Sequence, residues 1–210
     1  DLKISKPISE ATKHLSQGAI VAVKGLGGFH LAVDASQNEA VKRLRLRKGR
    51  EEKPLALMSS SVEQIERYAL VEDEERRLLT CSQRPIVIVP KRPENTIAPQ
   101  VAPRNRSFGV MLPYTPLHHL LLSHPFLALV MTSGNISEEP IAIDNLESVE
   151  RLGKIADYFL FHDRDILLRS DDSILRAAGG RPRQLRRSRG YVPVPIFLRK
   201  PVAEVLALGG

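Results

Sequence analysis

The chain has 210 residues, 42% of them apolar and 26% charged, which excludes a disordered polymer and suits one sizeable core or at most two small ones. Its longest apolar run, near Phe126–Met131, falls well short of the ~18 residues a membrane span needs, and its single cysteine, Cys81, excludes an internal disulfide or a cysteine-rich zinc site and fits a reducing cytoplasm. With 31 Lys and Arg against 24 Asp and Glu the net charge is +7, so the expected partners are anionic (nucleic acid or phosphorylated small molecules), while 5% aromatics and no Trp weaken a single-strand reader built on base stacking.

Helical and strand patterns alternate along the chain, which predicts an α/β or α+β sheet. Asp1–Lys6 carries no apolar segment of the secretory type. With no initiator Met and an abrupt end at Leu208-Gly-Gly, the chain reads as a piece of something longer. Pro7–Gln17 reads as an amphipathic helix closed by Gly18. Ala19–Val23 is a buried strand that feeds a glycine-rich turn, Lys24–His30. Ser36 and Glu39 form a capping box for a helix running through Ala40, Val41 and Leu44 to Arg47, broken by Gly49. Pro54–Met58 is a strand, and a second capping box, Ser60 to Glu63, opens another helix. Asp73–Ser82 is a polar helix; Pro85–Pro90 is a strand bounded by prolines. Residues 91–107 are turn-rich and predict a surface loop. Phe108–Leu112 is a strand, and Thr115-Pro116 supplies an N-cap and first-turn proline for a helix through Leu122. Phe126–Met131 is a buried strand ending at Thr132–Pro140. Asp144–Gly153 is helical, followed by short strands near Tyr158–Phe161, Ile166–Leu168 and Ser173–Arg176. Pro193–Pro201 reads as extended. The organisation expected is one domain, 1–192, with a linker tail, 193–210.

Several groups could carry chemistry. Arg45-Leu-Arg-Lys-Gly-Arg50, continuing to Lys53-Pro54, gathers cations around a helix end that a glycine breaks. That pattern can aim several positive charges at one point, as a triphosphate requires; a solvated basic face or a nucleic-acid patch gives the same composition. Helical spacing puts Arg43, Arg47 and Arg50 near one face. Met131-Thr-Ser-Gly-Asn135 sets small polar residues at the carboxyl end of a buried strand, where open α/β sheets bind ligands; a plain turn fits the same residues equally well. The Lys24–His30 loop fits neither the Gly-x-Gly-x-x-Gly nor the P-loop pattern. It either brings Lys24 and His30 to a pocket rim or makes a tight turn. The six histidines lack metal spacing, and His118 and His119, adjacent on a helix, diverge. His162–Asp165 and Asp171–Ser173 offer Mg²⁺ carboxylates, Asp172 among them, or ordinary turn aspartates. Cys81, beside Ser82 at a helix end, has no dyad partner nearby in sequence.

Lys48-x-Arg50 and Ser133-x-Asn135, in that order, resemble the paired signatures of the YrdC-type carbamoyl-adenylate-forming fold. Longer strings resemble the YrdC-like domain of the HypF carbamoyltransferases, which mature nickel–iron hydrogenases. These strings are Lys24-Gly-Leu-Gly-Gly-Phe-His-Leu31, Leu112-Pro-Tyr-Thr-Pro-Leu-His-His119, Met131–Asn135, His162-Asp-Arg-Asp-Ile166, Asp171-Asp-Ser173 and Arg186-Arg-Ser-Arg-Gly-Tyr-Val-Pro193. The resemblance covers about Ile8 to the C-terminus, and Leu206–Gly210 looks like the opening of the next domain of that family. It implies a twisted, mixed open sheet flanked by helices, with a basic concave nucleotide-binding face. It implies that carbamate and ATP are joined to carbamoyl adenylate with loss of pyrophosphate, using Mg²⁺ and no zinc in this segment. Lys48 and Arg50 would be catalytic and hold the polyphosphate; Thr132, Ser133, Asn135, Ser173 and Arg187 would complete the ATP site. Lys24, His30 and Tyr114 would shape the carbamate pocket, and Asp172 would hold Mg²⁺. Other domains would act before and after: an acylphosphatase-like domain, a zinc finger and a C-terminal transfer domain that delivers the group to HypE. Relatives that bind threonine carry Pro-Thr-x-Thr where this chain has Lys24-Gly-Leu-Gly27, which argues against the runner-up, a threonylcarbamoyl-AMP synthase for tRNA modification. The concave basic surface of the fold would also suit a double-stranded RNA-binding module, and the segment could serve as a purely structural bridge that binds ATP without turnover.

Overall fold

The computed structural model describes residues 6–136, 139–198, 200, 203, 204 and 206. The elements, in chain order, are α1 (Pro7–Ser16), β1 (Val21–Lys24), β2 (Phe29–Asp34), α2 (Asn38–Lys48), β3 (Leu57–Met58), α3 (Val62–Glu66), α4 (Asp73–Thr80), β4 (Ile86–Pro90), β5 (Ser107–Met111), α5 (Pro116–Leu121), β6 (Leu129–Ser133), α6 (Asn145–Leu152), β7 (Tyr158–Leu160), β8 (Ile174–Ala178) and β9 (Arg181–Arg186). The strands form one mixed sheet in the order β7-β1-β2-β6-β3-β5-β4-β8-β9. Parallel pairs join β1 to β7, β3 to β5 and β4 to β8; the remaining neighbours are antiparallel. The mixed α/β sheet with flanking helices is the architecture expected from the sequence.

Strand alternation divides the apolar residues between two faces. On one face Ala22, Leu31, Val33, Leu57, Val87, Val110 and Val130 belong to the larger core, with Leu44 of α2 and Leu78 and Leu79 of α4. On the other, Val21, Val23, Ala32, Met58, Met111 and Met131 cluster with Leu15 of α1 and Leu121 of α5. The helices α1 and α5 pack on each other, and α1 lies against β1, β2 and β7. They cover one half of that second face. Its other half, over β4, β5 and β8, is left as a cleft.

Local chemistry explains where the elements start, and where the sequence reading erred. Thr115 Oγ1 accepts from the His118 amide at 3.1 Å, and Asp144 Oδ1 accepts from Leu146 and Glu147 at 2.8 and 3.0 Å, so α5 and α6 open as expected. The Ser36–Glu39 capping box does not form. Asp34 draws both the Ser36 amide (2.9 Å) and its hydroxyl (2.7 Å), and α2 opens at Gln37 without a side-chain cap. The α3 cap is Ser61, one residue beyond the expected Ser60. The glycine turn is shorter than expected: Gly25 N donates to Gly28 O at 2.9 Å, and the chain is already in β2 at Phe29. Residues 166–168 are no strand; Ile166 is buried while Leu167 is 90% exposed. Strand β9 follows a two-residue turn whose Gly179 and Gly180 have φ +61° and +67°, left-handed values that glycine adopts without a Cβ penalty. The β8–β9 ladder contains a bulge. Ile174 pairs with Arg186 and Leu175 with Gln184, so Leu185 has no partner across the ladder. Of the expected extended segment Pro193–Pro201, residues 193–198 carry no helix or strand, and Arg199 and Pro201 lie outside the described residues.

Candidate active site

Helix α2 delivers the two central cations. Gly49 caps it in the left-handed region at φ +63°, donating its N–H to Leu46 O, while the Arg50 amide returns to Arg45 O at 3.0 Å. Lys48 is thereby the last helical residue and Arg50 the first of a loop, and the two are fixed by backbone geometry. Lys48 is 2% exposed. Its ammonium donates to Ser133 O at 2.7 Å, to Asn135 Oδ1 at 2.8 Å and to Asn135 O. Arg50 donates to Thr132 Oγ1 at 3.2 Å, Lys53 O at 3.1 Å and Pro54 O at 2.7 Å. The β6 end is held in turn: Ser133 Oγ donates to Asn135 Oδ1 at 2.7 Å, and Asn135 Nδ2 to Glu139 O at 2.6 Å. Gly134 is required there, because a Cβ would come within 2.7 Å of Phe29 Cβ and 2.8 Å of Phe29 O. Burial, then the neighbouring Arg50, pushes the Lys48 pKa down to about 7. Burial, then Arg45, pushes the Arg50 pKa down to about 10. Two crowded cations in a low-dielectric site favour an incoming anion.

Sequence reasoning placed Arg45 in the basic cluster without a role. In the structure it is buried, on the same helix face as Val41, Leu44 and Lys48. Its guanidinium donates to Arg50 O (2.9 Å), Glu51 O (3.2 Å), Lys53 O (3.2 Å), Val101 O (3.0 Å) and Gln100 O. One side chain thus folds the loop that presents Arg50. The signal was present in the spacing, since an arginine occupies a core-facing position of α2. Arg43 and Arg47 part from Arg50. Arg43 donates to Gly18 O, and Arg47 pairs with Asp157 at 2.6 Å and donates to Ile155 O at 2.9 Å, so both tie α2 to its neighbours.

The cleft measures about 760 Å³. Lys48, Arg50, Lys53, Thr132, Ser133 and Asn135 line it at one side; Ile86, Ile88 and Ile174, with Gly109 opposite Ile88, give it an apolar floor. Asp171 and Asp172 reach it, with Arg186 bridging to Asp171 at 2.5 Å. A polyanion with a flat apolar head matches that combination.

Behind Asp172 lies a buried network. His30 Nε2 is 3.2 Å from Asp172 Oδ2, and Arg189 Nε donates to Asp172 Oδ1 at 2.7 Å. The Arg189 guanidinium stacks 3.5 Å above the Tyr114 ring, and Tyr114 Oη is 3.5 Å from His30 Nε2. His118 sits edge-on to Tyr114 with ring centroids 4.5 Å apart. Burial raises the Asp172 carboxyl, but His30 and Arg189 overcome it and hold the group well below the usual carboxylate range. Burial, then Asp172, raises the Tyr114 phenol well above its ordinary value. Burial, then His30, lowers His118 to about 3. Sequence reasoning named His30 and Tyr114 here but missed Arg189 and His118.

Three other expected residues are engaged elsewhere. Lys24 is buried, donates to His162 O at 3.2 Å and lines a second cavity of about 490 Å³ with Leu26, Thr115 and Arg164. Ser173 is fully buried; its hydroxyl donates to Arg189 O at 2.9 Å and accepts the Ser188 amide at 2.8 Å. Arg187 donates to Tyr191 O at 2.8 Å and to Val194 O, whereas its neighbour Arg186 lines the cleft. Asp172 does not fit a Mg²⁺ ligand, because both of its oxygens are already held by cationic or imidazole partners. Among the described residues no group of three His, Cys, Asp or Glu is placed to hold a metal, and no helix is long and apolar enough to cross a membrane.

The family model for Sua5/YciO/YrdC, described as telomere recombination, matches residues 13–188. The chain belongs to this family. Within it, the chain is 46% identical over 207 residues to carbamoyltransferase HypF of Synechocystis sp., covering 98% of this chain and 27% of that protein. It is 47% identical to carbamoyltransferase HypF2 of Cupriavidus necator, covering 97% and 28%. The chain therefore spans just over a quarter of the length of these curated relatives. Among solved structures, full-length HypF in its phosphate- and nucleotide-bound form superposes with a TM-score of 0.89 at 48% identity, over 94% of this chain and 31% of that one. The Sua5 of P. abyssi complexed with L-threonine shares the fold, with a TM-score of 0.75 at 21% identity, over 86% and 54%.

Proposed function

We propose that this YrdC-like segment binds ATP in the cleft and joins carbamate to it, forming carbamoyl adenylate and pyrophosphate within a HypF-type carbamoyltransferase. One observation carries the reading: Lys48 and Arg50 converge with Thr132, Ser133 and Asn135 on one cleft. A solved relative 48% identical to this chain was crystallised with phosphate and nucleotide bound.

The step balances simply. A carbamate oxygen attacks the α-phosphorus, a C–O–P link forms, the bond from that phosphorus to the bridging β-oxygen breaks, and pyrophosphate leaves with the electron pair. Carbamate is already an anion, so no general base is needed. The protein's task is to position two anions against each other and neutralise their charge. Lys48 and Arg50 supply fixed positive charge beside the transferred phosphorus. The Thr132 and Ser133 hydroxyls give the ribose and phosphates directional partners, and the Asn135 amide, held by Ser133 and Glu139, fixes the Lys48 ammonium beside them. Mg²⁺ would ride on phosphate oxygens, since Asp172 is already satisfied, and no step here is routed through it. In the whole protein an acylphosphatase-like domain would supply carbamate, and a C-terminal domain would pass the carbamoyl group to HypE.

The threonine-using reading rests on a fold shared at 21% identity, and the Lys24 loop argues against it. The test is pyrophosphate release from ATP and Mg²⁺ with freshly dissolved carbamate, against threonine plus bicarbonate, for the wild-type chain and Lys48→Met. Release that needs carbamate and drops at least about 100-fold in Lys48→Met is expected, the order lost when one charge-stabilising donor is removed. Release that needs threonine would move the chain to the tRNA-modification branch; nucleotide binding without turnover would favour the structural bridge.

A further inference from the structure

The β8–β9 hairpin carries four arginines whose sequence parity hides their common side. Ile174 lines the cleft, and strand alternation puts Arg176, two residues on, on the same face. The register confirms this: Arg176 is the cross-strand partner of Ile88, another cleft residue. Arg183 stands directly opposite Arg176, and Arg181 opposite Ala178, so both share that face. Arg186, opposite Ile174, lines the cleft itself. The unpaired Leu185 makes this possible, since it brings odd-numbered Arg181 and Arg183 and even-numbered Arg186 to one side. The reverse face is occupied: Leu175 is buried in the core with Leu78 and Leu79 of α4.

The arginines therefore form a strip running outward from the cleft floor along an edge hairpin. Arg186 is matched by Asp171. Arg176, Arg181 and Arg183 are exposed and, among the described residues, make no ion pair or side-chain hydrogen bond, although Arg176 and Arg183 face each other across the ladder. Like charges directly opposite destabilise a sheet, so the Arg176–Arg183 pair is a small cost to the hairpin with no compensating partner among the described residues.

Resting on the nucleotide-binding reading, we propose that Arg176, Arg181 and Arg183 form a capture strip for the polyphosphate of the incoming nucleoside triphosphate. It draws the anion toward the cleft and hands it to Arg186 and Arg50, without holding it in the bound state. Unpaired charges around a cleft mouth raise association rates in this way, with steep dependence on ionic strength.

Stopped-flow binding of a fluorescent ATP analogue tests it with three chains: wild type, the triple variant Arg176→Gln/Arg181→Gln/Arg183→Gln, and the corresponding triple Lys variant. All three positions are exposed, so the fold should survive, and circular dichroism checks that. At about 10 mM salt, where the Debye length is ~30 Å, the Gln variant should associate about 3- to 10-fold more slowly. Its dissociation rate should stay within about twofold, the difference should vanish near 1 M salt, and the Lys variant should keep most of the wild-type rate. An unchanged low-salt association rate, or an effect confined to dissociation, would overturn the proposal. Aggregation of the Gln variant with unchanged association would show that the arginines guard the sheet edge instead. Loss of double-stranded RNA binding with unchanged nucleotide association would make the strip an RNA contact. If wild type binds no nucleotide at all, the reading of the cleft falls, and the strip's role with it.

Discussion

Lys48 is asked to be charged in a place that disfavours charge. Burial beside Arg50 brings its pKa to about 7 in the free protein, while a bound polyphosphate stabilises the ammonium and pulls that pKa back up. Above pH 7 the free protein has lost a proton that binding must restore. ATP affinity should therefore weaken as pH rises from about 7 to 8.5, by up to ~10-fold per unit, and titration calorimetry should find that slope abolished in Lys48→Met. His118 presents the opposite case. Both of its ring nitrogens are buried without a hydrogen-bond partner among the described residues, and burial, then His30, pushes its pKa down to about 3 in the folded state. The unfolded chain takes up that proton near pH 6.5, so the contribution to stability is complete above pH 6.5 and is lost as pH falls toward 3. His118→Phe should remove roughly 4 kcal/mol of acid sensitivity, read from urea unfolding at pH 7 and pH 3.5. At this scale the sequence points to candidate residues whose backbone neighbours also line the cleft: Lys48, Arg50, Ser133 and Asn135. It could not distinguish Arg186, whose side chain enters the cleft, from Arg187, whose side chain turns to the 191–194 loop, because that choice is made by β9 register.

Among the elements, the Arg50–Pro54 loop depends most on a single buried side chain. Arg45 supplies its carbonyls with donors, and an apolar replacement leaves those carbonyls without partners. Arg45→Met should cost about 3 kcal/mol in urea unfolding. It should also weaken nucleotide binding, while Arg45→Lys, keeping the charge but not the fork, should restore only part of either. The helices and apolar strands were legible because their periodicity and caps survive in composition: Pro7 and Thr115-Pro116 mark helix starts, and Pro85–Pro90 marks a strand. Two strands were not. β2 begins inside a stretch whose glycines read as a turn, and its identity is fixed by pairing with β1 and β6. β9 is written in Arg, Pro and Gln, which carry no strand signal; a glycine pair and the presence of β8 create it.

The whole molecule places its site by leaving half of one sheet face uncovered. α1 and α5 close the side over β1, β2 and β7, α4 closes the reverse side of β4, β8 and β9, and the open remainder is the cleft. The charge excess of +7 is not spread evenly over that shape. Arginines such as Arg45, Arg47 and Arg189 serve as internal braces that face backbone carbonyls or aspartates, whereas Arg50 and Arg186 line the cleft. Leu185 gives this arrangement an unusual sensitivity to chain length. Deleting it removes the bulge but leaves Arg183 opposite Arg176, so the basic strip survives the loss of a residue. Inserting one residue at Gly179-Gly180 lets the ladder close regularly, with Arg183 opposite Ala177 and pressed against α4. Two length changes of equal size, one at the bulge and one at the turn, thus have opposite results: homologues should vary at the bulge and keep the turn at two residues.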